Sequence, residues 1–434
     1  MGTVILSIVL FAAVFLLVSL DLVNRGAAMV IGATGFLLLG QALDFYSPAQ
    51  ALEAIYFDSL SLLFGMSLIS SVLFRSGIFN DLSTRTARFS GGNPTLVFTL
   101  LILTTYTLSL FFSNLSVMII MVPFTLAFCR SMGMAAAPMV AGELVASNLG
   151  GASTLVGDFP NMIIGAAAQL HFDDFIRSMM VPNLFFLAIL LVFFQHRVNP
   201  RNHKSSRSWN QNEPAGISTT QPVDGYLLRL GSWVLALTLI GFLLAQPLGF
   251  RPSSVTFVAG LSVLVLGRIP QHELFEAMSG GDLLFFLGLF VMVGGLQAAG
   301  ILEGFHQLVV TLGGGSATVS FLVLMWLASL VTPFLNAGPT TAFLVPVAKS
   351  LSLTFSDHAV WWALSLGVLA GSSASLSGAT AGPVVASMMA GRMRGSDTHS
   401  DGFILDFRRY LRLGLPVSGI FLLLSSCYII MITF

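Results

Sequence analysis

Two carboxylate side chains interrupt long apolar stretches of this sequence. Glu143 lies in MVAGELVAS and Asp158 lies in VGDFPN, each within an otherwise apolar or small-residue run. An acidic group within a membrane is energetically costly, and where one occurs it is usually functional. A carboxyl group that is desolvated in a cavity can exchange a proton for a cation. Both residues are therefore candidate proton carriers.

The surroundings of the two acids predict different roles. Glu143 is expected one turn before a helix break and on the same face as Ser147, in a helix whose backbone is already hydrogen-bonded. Asp158 follows Gly157 at the start of a further helix, where a carboxylate can accept backbone N–H bonds. We therefore predict that Glu143 is the main proton carrier and that Asp158 is mainly a helix cap.

Polar stretches break the apolar runs at matching places in the two halves of the chain. The first half has FFSNLSVMIIMVP at 111–123 and ASNLGGASTLVGDFPN at 146–161, and the second has FLNAGPTTAFLVP at 334–346 and AGSSASLSGATAG at 370–382. Backbone freed from a helix within a membrane is tolerated only where it lines an enclosed cavity. Paired helix breaks of this kind indicate the binding site of a transporter.

The polar groups at these breaks are the predicted ligands of an ion or small substrate. They are Ser113, Asn114, Ser147, Asn148, Gly150, Gly151, Ser153, Thr154 and Asn161 in the first half, and Asn336, Thr340, Thr341, Ser372, Ser373 and Ser375 in the second. Side-chain oxygens with little charge suit a small alkali cation or a proton relay. The alternative is that these side chains only cap helix ends and hold helices together.

The composition indicates an integral membrane protein. Of the 434 residues, 55% are hydrophobic and only 9% are charged, whereas a soluble domain has about 25% charged residues. The formal net charge is zero, which gives no indication of a nucleic-acid partner. The two cysteines have no CxxC spacing, and the seven histidines stand singly, so no metal site and no resident cofactor are expected.

The hydropathy pattern predicts an all-α, multi-pass fold of ten spans and two re-entrant hairpins. The spans lie near 3–20, 26–43, 59–75, 139–170, 181–195, 226–245, 252–268, 282–298, 359–390 and 412–432, and the hairpins are 94–130 and 317–350. The spans at 139–170 and 359–390 exceed one straight crossing of about 20 residues, so each is expected to contain a break.

The same pattern predicts two repeats, at 1–195 and 226–434, joined by a polar linker at 196–225. Gly150 and Gly157 are separated by the same interval as Gly371 and Gly378. In this topology 16 of the 19 basic residues fall on one side, which the positive-inside rule assigns to the cytoplasm. Corresponding spans then run in opposite directions, so the repeats are expected to be inverted.

Several of these motifs resemble a known superfamily. ASNLGGASTLVGDFPN and SNLSVMIIMVP are similar to motifs of the ion transporter superfamily, in its arsenite-efflux, sodium/proton-antiporter and citrate-transporter branches. The resemblance implies an elevator-type carrier with H⁺ or Na⁺ as coupling ion. Leu115 replaces the Thr of the Ser-Asn-Thr hairpin tip in the dicarboxylate branch, which weakens the resemblance to that branch. The resemblance to the superfamily is compatible with either a monomer or a homodimer.

A second set of motifs resembles a family of magnetosome membrane proteins. These motifs are IYFDSLSLLFGM, NLGGASTLVGDFPNMI, LHFDDFI, FFLGLFVMVGG and WWALSLGVLAGSSASLSGATAG. The resemblance implies a place in the magnetosome membrane and a role in magnetite biomineralisation through pH control of the vesicle lumen.

Three functions stay open at this point. The favoured one is a secondary carrier that exchanges protons and cations across a membrane. The second is transport of a small oxyanion, an arsenite-like oxide or a carboxylate on the same fold. The third is a membrane scaffold without transport. An enzyme is not expected, because VGD lacks the preceding glycine of the GxGD intramembrane proteases.

Overall fold

The computed structural model describes residues 2–19, 23–79, 82, 93–132, 134–198, 223–391 and 405–433. All regular structure in these ranges is helical, which confirms the predicted all-α class. Seven helices are long and apolar enough to cross a membrane, and shorter apolar helices accompany them. Most of the predicted linker at 196–225 lies outside the described residues.

Among the described residues each half of the chain contributes ten α-helices. The first half contains α1 (Gly2–Ser19), α2 (Arg25–Ala42), α3 (Pro48–Glu53), α4 (Phe57–Arg75), α5 (Pro94–Ser109), α6 (Asn114–Met132), α7 (Ala136–Ala152), α8 (Phe159–Ala168), α9 (Phe172–Phe175), a π-helical turn (Ile176–Met180) and α10 (Val181–Val198). The second contains α11 (Gly225–Leu248), α12 (Pro252–Leu266), α13 (Leu274–Ala277), α14 (Gly280–Ala298), α15 (Ile301–Leu312), α16 (Ala317–Leu335), α17 (Ala337–Phe355), α18 (Ala359–Ala374), α19 (Gly382–Gly391) and α20 (Phe407–Thr433).

Each of the two longest predicted segments is divided into two shorter helices. The segment at 139–170 becomes α7 and α8, separated by residues 153–158, which we call the first break. The segment at 359–390 becomes α18 and α19, separated by residues 375–381, the second break. Helix pairs α5–α6 and α16–α17 form the two hairpins, and each turns next to an asparagine.

Helices α7 and α18 form the centre of the bundle. Every residue of α18 is buried, and so is every residue of α7 except Pro138. A helix that is apolar on all sides is expected to be surrounded by other helices. Accordingly, α7 packs against α5, α6 and α10, α18 packs against α16, α17 and α20, and the two central helices contact each other. The first break at the end of α7 is buried except for the half-buried Asp158, whereas Ser377 in the second break is exposed.

Two ion pairs connect the halves crosswise. Arg25 at the start of α2 lies 2.7 Å from Asp282 on α14, and Arg251 at the start of α12 lies 2.9 Å from Asp58 on α4. Ser253 also donates a hydrogen bond to Asp58, at 2.6 Å. Helix α2 thus packs on α14, and α12 packs on α4, so each half supplies a supporting helix to the other.

Candidate ion-binding site

The first break begins where α7 meets the first hairpin. Gly150 lies so close to α5 that a Cβ there would collide with the backbone carbonyl of Tyr106, so the glycine permits close packing without ending the helix. The chain leaves the helix at Ser153. The Thr154 hydroxyl then donates to the carbonyl of Leu110 at 2.5 Å and accepts from the backbone N–H of Gly157 at 3.1 Å. These bonds fix the open backbone of the first break.

Asp158 is the polar centre of the first break. It is the N-cap residue of α8, and its Oδ1 accepts from the N–H of Phe159 at 2.9 Å. Its Oδ2 accepts from the amide Nδ2 of Asn114, at the tip of the first hairpin, at 3.0 Å. The same Nδ2 lies 3.3 Å from Oδ1 of Asn148 on α7. A carboxylate and two amides therefore meet where three helices end or bend.

One strong acceptor in this cluster has no partner. Asn114 is fully buried, and its Oδ1 forms no hydrogen bond within the described part of the protein. A Cβ added to Gly151 would lie 2.7 Å from this oxygen and 2.8 Å from Cβ of Asp158, so the glycine makes room for both side chains. A buried acceptor without a donor is energetically unfavourable. It is a natural ligand for a cation.

The second half of the chain reaches into the first break through α18. The Nδ2 group of Asn148 donates to the carbonyl of Ser372 at 3.3 Å. The hydroxyl of Ser365 donates to Oδ1 of Asn161 at 2.8 Å. Buried hydrogen bonds therefore join α18 to both helices that flank the first break, to α7 through Asn148 and to α8 through Asn161.

The second break has a different chemistry. Asn336, at the tip of the second hairpin, has a positive φ of 74°, and its Nδ2 donates to the carbonyls of Ser377 and Ala379 at 3.0 and 3.2 Å. The hydroxyls of Ser375 and Ser377 both point to the carbonyl of Pro333. No acidic or basic residue occurs in the sequence of this break. Asn336, Ser375 and Ser377 thus bond to backbone around the break, whereas the buried hydroxyl of Thr380 bonds to none of these groups and faces Asp158 of the first break.

Glu143 lies farther from the first break than the sequence pattern indicated. The expectation placed it one turn before the break, but α7 continues to Ala152, so Glu143 precedes Ser153 by ten residues, about 15 Å along the helix. It is fully buried against α6, where its Oε1 accepts from Thr125 at 2.6 Å, and its Oε2 has no partner among the described residues. The structure thus separates the two candidate acids.

Most of the predicted hydroxyl ligands instead form hydrogen bonds that support helices. Ser147 donates to Leu144, Ser153 to Leu149, Thr341 to Ala337, and both Ser372 and Ser373 to Leu369, in each case at a backbone carbonyl one turn earlier. Ser113 pairs with Ser116 at the exposed face of the first hairpin tip. Thr340 is the exception, because its buried Oγ1 has no partner in the described chain.

A cavity of about 280 Å³ leads towards the first break. It lies beside the ends of α4 and α6, and hydroxyl groups of both helices line it. Ser113 and Val156 lie at its wall, so the cavity reaches both the hairpin tip and the break. Arg75 and Glu273, whose side chains are 3.8 Å apart, line the same cavity. The cavity thus reaches the first break and is lined by both polar and apolar side chains.

Some residues of the site gave no signal in the sequence. Thr125 is the hydrogen-bond partner of Glu143, and Ser365 is that of Asn161, yet each is one polar residue in an apolar helix. Tyr106, whose hydroxyl lies 2.9 Å from Oγ of Ser153, was equally inconspicuous. These hydrogen-bond partners depend on which helices pack together, and the sequence pattern does not show that packing.

Apolar helices, two helix breaks at the ends of the central helices and a cavity that reaches one of the breaks define a multi-pass integral membrane transporter. Comparisons with known proteins agree with this class. The family described as "Citrate transporter" matches residues 12–367, and the chain therefore belongs to the citrate transporter family. Because the match covers most of the chain, the assignment applies to both halves.

Three relatives show the extent of the similarity. The chain is 39% identical to "Magnetosome protein MamN" of Magnetospirillum gryphiswaldense, over 98% of each chain. It is 29% identical to "Uncharacterized transporter Rv2685" of Mycobacterium tuberculosis, over 98% of each. Among solved structures, the YdaH transporter of Alcanivorax borkumensis matches with a TM-score of 0.58 and 14% identity, over 92% of this chain and 86% of that one. The last comparison concerns the fold alone.

Proposed function

We propose that this transporter exchanges protons for a small cation at the first break, and that Asp158 binds the two ions alternately. The observation that carries the proposal is that Asp158 sits inside the bundle while all its hydrogen-bond partners are neutral. A carboxylate in such a place is stable only when a proton or a cation neutralises it. The unpartnered Oδ1 of Asn114 adds a second ligand for the cation.

Accessibility favours Asp158 over Glu143 as the exchanging group. Asp158 keeps part of its surface exposed, and the cavity reaches its break. Glu143 is 0% exposed and is enclosed by α6 and α7. A group that trades ions must be reachable by them, so we infer that Glu143 keeps its proton throughout the cycle. This reverses the roles that the sequence pattern favoured.

Alternating access is proposed to follow from two inverted repeats, at 1–195 and 226–434. The crossed ion pairs support this, because the pair Arg25–Asp282 has its counterpart in Arg251–Asp58. The directions of α4 and α14 also support it. The end of α4 at Arg75 and the residue preceding α14, Ser279, line the same cavity, so these corresponding helices run in opposite directions.

The cellular role is proposed from the similarity to magnetosome proteins. Magnetite precipitation releases protons, and a carrier that moves them out of a vesicle lumen would keep the reaction proceeding. We therefore propose that the chain resides in a magnetosome membrane, with its basic loops in the cytoplasm, and that it controls the pH of the lumen. Its partners in this role are membrane lipid and a small inorganic ion.

The family match supports a second candidate, transport of a carboxylate such as citrate. The second break also supports it, because α19 begins there and no acidic residue in the sequence of the break would repel an anion. In this alternative Asp158 would carry the coupling proton or cation rather than the transported ion.

Flux through reconstituted vesicles separates these functions. The purified protein would be placed in proteoliposomes that contain a pH-sensitive dye, and Na⁺, K⁺, arsenite or citrate would be added outside. Proton exchange predicts that the lumenal pH changes when Na⁺ or K⁺ is added. Protein-free vesicles should show no such change. Accumulation of labelled citrate without a pH response to either cation would contradict the proposal and favour the carboxylate alternative.

A further inference from the structure

The carbonyl end of α7 is occupied by a side chain of the protein itself. The Nδ2 group of Asn161 lies 3.4 Å from the carbonyl oxygen of Gly151, 3.1 Å from that of Ala152 and 2.9 Å from that of Thr154. We call these three oxygens the carbonyl cradle. Asn161 is 1% exposed, and its Oδ1 is held by Ser365, so the amide has a fixed orientation.

Such a cradle would otherwise suit a cation. The last carbonyls of a helix have no intrahelical partner and carry the negative end of the helix dipole. Carbonyl oxygens that converge on one point replace the hydration shell of an alkali ion in membrane proteins. Here the converging oxygens receive N–H groups instead. The amide of Asn161 thus neutralises the cradle without adding a net charge.

The second break shows the same arrangement with a different residue. Nδ2 of Asn336 donates hydrogen bonds to the carbonyls of Ser377 and Ala379, just as Nδ2 of Asn161 donates to carbonyls at the first break. Asn336 comes from a hairpin tip, whereas Asn161 comes from the helix that follows its own break. Two unrelated positions therefore supply an amide donor to backbone carbonyls freed by a helix break.

We infer that Asn161 is a specificity-determining residue that closes the carbonyl cradle to alkali cations. The first break then has a single cation site, formed by the side chains of Asp158 and Asn114, and a cation competes there with the proton. The inference rests on the proposed proton–cation exchange only where it names Asp158 and Asn114 as the remaining cation site. The closure of the cradle stands on the contacts of Asn161 alone.

The substitution Asn161→Asp would open the cradle without changing its shape. The carboxylate can still accept the Ser365 hydroxyl, but its other oxygen then faces three carbonyl oxygens. This arrangement is repulsive unless a cation lies between them. In the background Asp158→Asn, where the proposed site is removed, any restored cation binding must come from the cradle.

The test measures the melting temperature of the purified protein in NaCl or KCl against choline chloride at equal ionic strength, since a bound ion stabilises the folded state. We expect Asp158→Asn to show no shift with Na⁺ or K⁺, and Asp158→Asn/Asn161→Asp to melt at a higher temperature in one of these salts. The matched control is Asp158→Asn/Asn183→Asp. It adds a buried carboxylate at a site where the described asparagine has no hydrogen-bond partner, and it should show no such shift.

Two results would overturn the inference. A salt-dependent shift that survives in Asp158→Asn alone would mean that the cradle binds a cation while Asn161 is present. A folded double variant with no shift would mean that the cradle is not a latent cation site. If Asn161→Asp does not fold, Asn161→Ser, which leaves the cradle without the amide, replaces it with the same expected shift. If wild-type protein shows no shift either, the proposed cation exchange fails, but the double variant still decides the role of Asn161.

Discussion

The tips of the two hairpins carry the same residue in different surroundings. Asn114 donates its amide to a carboxylate and to a second amide, and its own Oδ1 is left free of partners in the described structure. Asn336 donates its amide to two backbone carbonyls of the second break. Protonation can change the first set of contacts, because Asp158 can gain or lose a proton, but it cannot change the second.

We interpret this difference as a difference in role between the first and the second break. On the proposed function, the first break would hold the group that responds to ions, whereas Asn336, Ser375 and Ser377 at the second break are already bonded to backbone carbonyls. Hydrogen bonds from α18 to α7, at Asn148, and to α8, from Ser365, connect the two halves. If the proposed repeats hold, two related halves would in this way carry one ion site.

The largest expected effect comes from truncating the two hairpin asparagines. Asn114→Ala should reduce flux to that of empty vesicles, because it removes a donor to Asp158 and a predicted ligand of the cation. Asn336→Ala removes two hydrogen bonds to backbone, worth about 1 kcal/mol each, and should lower stability while leaving measurable flux. Flux assays at matched protein abundance compare the two. Equal loss of flux in both variants would show that the tips are equivalent.

A smaller effect is expected from adding a methyl group at Gly151. In Gly151→Ala the new Cβ would press on Oδ1 of Asn114 and on Asp158, and overpacking of this kind costs about 1–3 kcal/mol. Flux should fall several-fold with the protein still folded. The matched change at the corresponding place of the second half, Ser372→Ala, should leave flux nearly unchanged. Wild-type flux in Gly151→Ala would mean that the close approach is not needed.

The hydrogen bond between Ser365 on α18 and Asn161 on α8 should contribute mainly to stability. Ser365→Ala leaves Oδ1 of Asn161 buried without a donor, which costs about 1–3 kcal/mol. The control Ser262→Ala removes a hydroxyl that bonds only within its own helix and should cost less. Unfolding of the purified protein in detergent gives the stability of both variants. Equal stability would show that the hydrogen bond from Ser365 to Asn161 contributes no more than one within a single helix.

The smallest effects belong to the crossed ion pairs. Arg25 and Arg251 are 53% and 64% exposed, so each pair should contribute only about 0–1 kcal/mol. Arg25→Gln and Arg251→Gln should therefore shift the unfolding transition slightly and by similar amounts. A large loss in only one of them would show that the supporting helices are not equivalent.

Much of the fold followed from the sequence, because hydropathy and helix-breaking residues report directly on burial and on open backbone. The position of the first break was harder to predict. Gly150 and Gly151 looked like helix breakers, but they lie in a helix that continues, since they permit close packing on α5 and on Asn114. This extension moved Glu143 away from the break. The part played by Asn161 was also not predictable, because the turn of residues 153–158 brings its amide to carbonyls up to ten residues earlier.

The most direct test of the account compares Asp158→Asn with Glu143→Gln in proteoliposomes that report lumenal pH. Both changes keep shape and hydrogen-bonding capacity while removing the acid, and both proteins would first be shown to be folded and equally abundant. The account predicts that Asp158→Asn gives no cation-driven change of pH and that Glu143→Gln responds like the wild type. Normal exchange by Asp158→Asn, with an inactive Glu143→Gln, would contradict it.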